Sequence, residues 1–129
     1  MSLSDAQALV RAFHERFGSP APALPLAGDT IDLQAHHRRL DWIDSELDEA
    51  VDALCIENVA DLADAYIDII YFALGGLVEL GIDGGPLFEA VHAANMQKVR
   101  IPGVAKIAKP PGWMAPDIAA LIAKQRENH

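Results

Sequence analysis

The most extensive helical pattern of the chain lies in residues 58–80, which read NVADLADAYIDIIYFALGGLVEL. Apolar residues recur in this segment at spacings of three and four and cover most of the helical circumference. A helix with so wide an apolar surface is buried in a bundle or in an interface between chains. We therefore predict a helix from Asn58 to Leu80, ended by Gly81, at the centre of an all-α fold.

Helical patterns flank this segment on both sides. The residues from Leu33 to Leu54 carry an apolar stripe at helical period, and we expect it to pack against the central helix. We also predict a short first helix capped by Ser4, a fourth helix from Pro86 to Val99, and a short last helix from Pro116 to Lys124. No segment shows the convincing alternation of apolar and polar residues that is typical of a strand. The apolar stripe between Leu33 and Leu54 consists of Leu40, Ile43, Leu47, Ala50, Val51 and Leu54.

Length and composition bound the fold and its partners. The 129 residues fit one domain over 1–129, with an N-terminal helix and proline-rich linker in 1–32 and a proline-rich tail in 100–129. A net charge of -9 disfavours nucleic acid and anionic membranes as partners. No apolar run reaches the roughly 18 residues of a membrane span. The N-terminus lacks a signal-peptide pattern, and Cys55 is the only cysteine, so we expect a cytoplasmic protein.

The distribution of acidic residues suggests a cation site. Residues 40–97 contain 13 Asp or Glu and no Lys or Arg. With about 100° per residue, Asp61, Asp64 and Asp68 lie on one side of the central helix. Glu46 and Glu49 lie one turn apart on the preceding helix, so antiparallel packing would make the two groups face each other. Crowded carboxylates need protons or cations, and an all-oxygen site favours Mg²⁺ or Mn²⁺.

Two groups of acids are expected to differ in their surroundings. Asp68 lies among apolar residues, where an unpaired carboxylate would be costly, so we expect it to be the least replaceable ligand. The remaining acids of the preceding helix are expected to point into solvent. They are Asp41, Asp44, Asp48 and Asp52.

The acidic motifs resemble those of the all-α NTP pyrophosphohydrolase superfamily, which includes MazG-like proteins. That pattern is ExxE on one helix and ExxD on the next, and here it corresponds to Glu46–Glu49 and then Asp61, Asp64 and Asp68. The phosphoribosyl-ATP pyrophosphohydrolase-like branch is the closer match, over about residues 10–122. Its motifs are Phe13–Gly18, Asp64–Tyr71, Gly75-Gly76, Leu80–Asp83, His92–Lys98 and Trp113–Ile118.

The chain departs from the superfamily pattern at two positions. Ser45 stands where a Glu often precedes the first motif, and Asp61 stands where the second motif often begins with Glu. The second motif ends at either Asp64 or Asp68, which leaves open whether the site holds two or three metal ions.

The resemblance implies a reaction and its residues. It implies hydrolysis of a nucleoside triphosphate between the α and β phosphates, which gives the monophosphate and pyrophosphate. Glu46, Glu49, Asp64 and Asp68 would bind Mg²⁺, with Mn²⁺ as an alternative. Glu46 or Asp61 would accept the proton of the attacking water.

Five further residues are candidates for binding the substrate. Asn95 and Lys98, one turn apart on the predicted fourth helix, would contact phosphate or sugar. For Arg39 a salt bridge is the favoured role, and for His92 an interior position. Trp113 would either stack on a base or anchor the tail.

Three alternatives to this function can be compared with the sequence. A di-iron bundle needs Glu-x-x-His on two helices, and the chain has only Glu89-x-x-His92. A non-catalytic interaction or regulatory module with a decayed site would turn over no nucleotide. Phosphoribosyl-ATP hydrolysis in histidine synthesis is not separated from NTP hydrolysis by the sequence. In each case the apolar central helix predicts a homo-oligomer, a dimer or a tetramer.

Overall fold

A computed structural model describes residues 1–127 as an all-α fold, as predicted. It contains five α-helices, no β-strand among the described residues, and a short 3-10 helix at Gly28–Thr30. The helices are α1 (Leu3–Phe17), α2 (Leu33–Cys55), α3 (Val59–Leu80), α4 (Gly84–Asn95) and α5 (Ile118–Glu127).

Side-chain caps explain where the helices begin. The cap of α1 is Ser2 rather than the predicted Ser4, because the Ser2 hydroxyl accepts the Asp5 N–H while the Asp5 carboxylate accepts the Ser2 N–H. Ser4 instead donates to Asp83 Oδ1 at 2.7 Å. Asn58 caps α3, and Gly81 ends it in the left-handed conformation at φ 72°.

The fourth helix ends earlier in the structure than the sequence predicts. It begins at Gly84 and ends at Asn95, four residues before the predicted end at Val99. Val99 forms an isolated antiparallel bridge with Ala108, and each backbone N–H donates to the other carbonyl at 2.8 Å. Extended pairing at Val99 is incompatible with a continuing helix, so Lys98 lies in the turn that follows α4.

The helices pack in a simple order. Residues 56–58 connect α2 to α3 as antiparallel neighbours, and this pair makes the most extensive contact. Helix α1 packs against α3, α4 against α1, and α5 against α4. The buried centre is small: Val10, Leu74 and Val78, surrounded by half-buried Leu3, Ala6, Ala21 and Leu77.

The apolar stripe of α2 packs against α3 only in part, since Ala50 is buried and Ile43 is half-buried. Helix α2 turns Ala35, Arg39, Ala50 and Ala53 inward, and these residues approach α3 closely because most of them are small. This rotation leaves the other large residues of the stripe exposed, and Leu54 is 61% exposed. Exposed apolar residues continue on α3. They are Leu40, Leu47, Val51 and Leu54 on α2, and Val59, Tyr66, Ile67 and Ile70 on α3.

No single helix within residues 1–127 has the length and apolar character needed to cross a membrane. Helices α3 and α4 together would meet the requirement by length and composition, but the chain bends by 119° between them.

Candidate functional site

Four carboxylates lie near one another where α2 packs against α3. Glu46 and Glu49 come from α2, and Asp64 and Asp68 come from α3. Their proximity raises the pKa of Glu46 to about 7. A hydrogen bond with Glu49 is the largest cause, followed by desolvation and by the negative charges of Glu49, Asp68 and Asp64. The structure therefore brings together the four side chains that the sequence predicts as metal ligands.

One oxygen of this cluster has no partner. Glu46 Oε2 is buried and accepts no hydrogen bond from any described residue. A buried acceptor without a donor is costly, and a buried carboxylate is normally neutralised by a proton or a cation. This oxygen is the strongest structural indication that a positive ligand belongs in the cluster.

The donor set suits a hard divalent cation, because Mg²⁺ and Mn²⁺ prefer carboxylate oxygens. The carboxylates do not converge on one point, however. Among residues 1–127 no group of three or more His, Cys, Asp or Glu side chains is gathered closely enough to hold a metal ion. The negative charges repel one another and keep the carboxylates apart. To share a cation, the side chains would have to turn toward a common point.

An acidic hollow of about 430 Å³ extends from the cluster toward the α2–α3 connection. Asp52 is exposed, as predicted, and it also lines this hollow. Three residues after Glu49, Asp52 lies on the same face of α2. The remaining lining residues are Glu49, Ala53, Ile56, Asp61, Asp64 and Ala65.

Asp61, one of the two candidate bases, is held by the cap of α3. Its Oδ2 accepts a hydrogen bond from Asn58 Nδ2 at 2.9 Å, and its backbone N–H donates to Asn58 Oδ1 at 3.0 Å. Glu46 Oε2 has no such partner. Of the two candidates, Glu46 therefore retains a free acceptor.

A second cavity, of about 520 Å³, lies on the opposite side of the carboxylates. Its aromatic lining includes Trp42, one turn before Glu46, and Tyr71, about one turn after Asp68. Trp42 packs on Phe72 with ring centroids 5.6 Å apart, and Phe13 meets Tyr71 edge-on at 5.7 Å. Trp42 and Phe72 were not among the residues singled out from the sequence, whereas Phe13 and Tyr71 belong to the motifs that carry the resemblance. The helical spacing of Trp42 and Phe72 from the carboxylates is the signal that would have found them.

Arg39 lines the same cavity, but its charge is already paired. Its Nε lies 3.4 Å from Glu79 Oε2, and its Nη1 donates to the Phe72 carbonyl at 3.2 Å. The guanidinium also lies 5.6 Å from the centre of the Trp42 ring. Arg39 therefore forms a salt bridge with Glu79, the kind of role predicted for it from the sequence.

The other predicted substrate residues lie away from the carboxylates within one chain. His92 and Asn95 are exposed on α4, so an interior position for His92 is wrong. Lys98 Nζ lies 5.1 Å from the Trp113 ring centre, and Trp113 Nε1 donates to the Ala94 carbonyl at 2.6 Å. Helix α4 packs against α1 and α5, whereas the carboxylates lie on α2 and α3.

Comparison with known proteins identifies the family. Residues 10–95 match the family model of phosphoribosyl-ATP pyrophosphohydrolase, and this range contains all the acids of the α2–α3 cluster. The comparison with curated proteins finds no match. Members of the matched family are pyrophosphohydrolases, enzymes that act on phosphoanhydride bonds. Since the match covers well over half of the 129 residues, the chain belongs to the phosphoribosyl-ATP pyrophosphohydrolase family.

Proposed function

We propose that the protein is a metal-dependent nucleoside triphosphate pyrophosphohydrolase that cleaves between the α and β phosphates. The observation that carries this proposal is the buried, unpartnered Glu46 Oε2 within a cluster of four carboxylates. Its products would be a nucleoside monophosphate and pyrophosphate.

The α2–α3 carboxylates would hold Mg²⁺, or Mn²⁺, through Glu46, Glu49, Asp64 and Asp68. When bound, the metal would neutralise phosphate oxygens and make the α phosphorus more electrophilic. Glu46 is the first candidate for the general base, because its Oε2 has no hydrogen-bond donor among the described residues. Asp61, bound to Asn58, is the alternative base.

The aromatic cavity would hold the base and sugar. Trp42 and Tyr71 stand next to the carboxylates along their helices, and aromatic faces bind planar rings by stacking. A nucleotide placed there would extend its phosphates toward Glu46 and Asp68. This placement supports a nucleotide over a simple polyphosphate as the substrate.

Phosphoribosyl-ATP is a second candidate substrate, favoured by the family match over residues 10–95. It contains the same triphosphate linkage, so the carboxylates serve it equally well. Selection between the two would depend on the aromatic cavity rather than on the acids.

We also propose a homo-oligomer, a dimer or a tetramer. The exposed apolar side chains of α2 and α3 would be covered by a second copy. A cytoplasmic location stays part of this proposal on the basis of the sequence alone.

The deciding experiment measures pyrophosphate release from canonical nucleoside triphosphates and phosphoribosyl-ATP, with Mg²⁺, with Mn²⁺ and with chelator. We expect turnover only with metal, and none for Asp68→Asn. Absence of metal-dependent turnover across this panel would favour a non-catalytic module. Turnover of phosphoribosyl-ATP alone would select the histidine-synthesis function.

A further inference from the structure

Glu79 is a buried acid of α3 that the proposed chemistry does not use. Its side chain is only 10% exposed, and it lines the aromatic cavity together with Arg39 of α2. Arg39 Nε lies 3.4 Å from Glu79 Oε2, and His36 Nε2 lies 3.9 Å from the same oxygen. The ion pair therefore keeps the guanidinium in the wall of the cavity.

Arg39 connects Glu79 to the Trp42 ring. Its Nη1 donates to the Phe72 carbonyl at 3.2 Å, and its Cζ lies 5.6 Å from the centre of the Trp42 ring. Phe72 packs on the same ring, with centroids 5.6 Å apart and planes inclined at 33°. Trp42 is nevertheless 41% exposed, so part of the ring is free to contact a ligand. An aromatic ring already restrained by two contacts loses little conformational freedom when a ligand stacks on it.

Helix α3 leaves space for this arrangement at Gly75. A Cβ at Gly75 would collide with Arg39 Nη1 and would lie 3.1 Å from His14 Nε2. His14 is itself fixed, because its Nδ1 lies within hydrogen-bond distance of the Pro20 carbonyl, at 2.8 Å. The absence of a side chain at position 75 therefore lets the guanidinium lie against the α3 backbone.

The charge of Arg39 matters as well as its position. An unpaired guanidinium in the aromatic cavity would attract the phosphates of a nucleotide, because arginine binds phosphate in a bidentate geometry. Pairing with Glu79 offsets that attraction and leaves a cavity suited to a planar, uncharged ring. The phosphates are then free to bind at the carboxylates and their cation.

We propose that Glu79 is a positioning residue for nucleotide binding: through Arg39 it holds Trp42 as the stacking surface for the base and keeps phosphates out of the aromatic cavity. The role assigned to Trp42 rests on the proposed function, in which this cavity holds the base. A pair that only joined α2 to α3 would affect the stability of the fold and leave nucleotide binding unchanged.

Steady-state kinetics of a stable double variant separates these two roles. Arg39→Met with Glu79→Leu removes both charges together, so the fold should survive. We expect its KM for the hydrolysed triphosphate to rise about tenfold, the contribution of one stacked base, with kcat nearly unchanged. Glu79→Gln should show the same rise. Glu89→Gln, the same change at an exposed position of α4, is the control and should keep the wild-type KM. A wild-type KM in the double variant would overturn the proposal.

Tryptophan fluorescence tests the stacking surface without any turnover. The chain has two tryptophans, so Trp113→Phe leaves Trp42 as the only one. The probes are AMP, GMP, CMP and UMP, because a base stacked on an indole quenches its emission. We expect at least one of them to quench Trp42, and Glu79→Gln in this background to need about tenfold more of it. No quenching by any probe, or equal half-saturating concentrations, would overturn the positioning role.

Inorganic triphosphate tests whether Glu79 keeps phosphates out of the cavity. With chelator present, it should raise the melting temperature of Glu79→Gln, because the unpaired Arg39 then binds the anion and bound ligand stabilises the fold. Arg39→Met with Glu79→Leu lacks the guanidinium and is the control. A shift in Glu79→Gln no larger than in this control would overturn the exclusion of phosphate.

Fluorescence and hydrolysis together distinguish failure of the positioning role from failure of the proposed function. Quenching of Trp42 that depends on Glu79, in a protein that hydrolyses no triphosphate, would support the positioning role and reject the proposed function. Metal-dependent hydrolysis without any quenching of Trp42 would support the proposed function and overturn the positioning role.

Discussion

Arg39 and Glu79, forty positions apart in the sequence, form a buried ion pair that joins α2 to α3. Arg39 Nε lies 3.4 Å from Glu79 Oε2, and each side chain is only 10% exposed. The pair lies two turns from Glu46 along α2, so it fixes the two helices next to the carboxylate cluster.

Loss of one member of this pair should destabilise the fold. Arg39→Met leaves the buried Glu79 carboxylate with only His36 Nε2 beside it, at 3.9 Å. Removal of one partner from a buried ion pair typically costs about 3–5 kcal/mol. The double variant Arg39→Met with Glu79→Leu removes both charges and should recover most of that loss. Urea unfolding followed by circular dichroism measures both. Arg38→Met, a change of the same kind at an exposed neighbour, is the control. A double variant no more stable than the single one would contradict this account.

Gly75 and Gly76 should differ in how strongly alanine destabilises the protein. A Cβ at Gly75 would collide with Arg39 Nη1, whereas the nearest atom to a Cβ at Gly76 is Arg39 Cδ at 3.3 Å. Gly75→Ala should therefore displace the guanidinium from its pair and destabilise the protein. Gly76→Ala should be neutral or stabilising by up to about 1 kcal/mol, because alanine favours helix. Equal changes in unfolding free energy for the two variants would show that Arg39 does not need Gly75.

The helices were predictable because periodicity and caps are local. The predicted start of α2 and the predicted end of α3 agree with the structure. The end of α4 was not predictable, because the pairing of Val99 with Ala108 involves residues nine positions apart with no strand pattern.

Side-chain direction was harder to predict than helix position. The rotation of α2 is set by the small residues and by Arg39 that face α3, so Leu47 is exposed and Asp52 enters the hollow. The proximity of Glu46 to Asp68 could be predicted, because both acids stand at helical spacing among apolar residues.

The raised pKa of Glu46 predicts how metal-free stability depends on pH. The usual carboxyl value of 4.5 becomes about 7 in the folded chain, so the folded state holds this proton more tightly than the unfolded state. The contribution of Glu46 is fully present below pH 4.5 and is lost as the pH rises toward 7. With chelator present, the melting temperature of the wild type should fall between pH 4.5 and about pH 7 relative to the melting temperature of Glu46→Gln. Asp44→Asn controls for net charge and should run parallel to the wild type.

Asp68→Asn should separate metal binding from folding. The amide keeps the size of the side chain but removes a charge needed to hold a cation. It also relieves repulsion within the cluster, so the metal-free fold should be equally or more stable. Millimolar Mg²⁺ or Mn²⁺ should raise the melting temperature of the wild type and of Asp44→Asn, because a ligand that binds only the folded state stabilises it. The same shift in folded Asp68→Asn would place the cation elsewhere.

The exposed stripe of α2 should control assembly. Val51 is 57% exposed and Leu54 61% exposed, and a second copy of the chain would bury both. Introducing charge by Val51→Arg and Leu54→Arg should therefore dissociate the oligomer, because a desolvated, unpaired charge is costly at an interface. Ser45→Arg adds a cation to the same helix outside the stripe and should leave assembly intact. Sedimentation equilibrium at micromolar concentration should give at least twice 13.9 kDa for the wild type and the control, and 13.9 kDa for the double variant. A wild-type mass of 13.9 kDa would mean that the apolar stripe stays exposed to water and would contradict the proposed homo-oligomer.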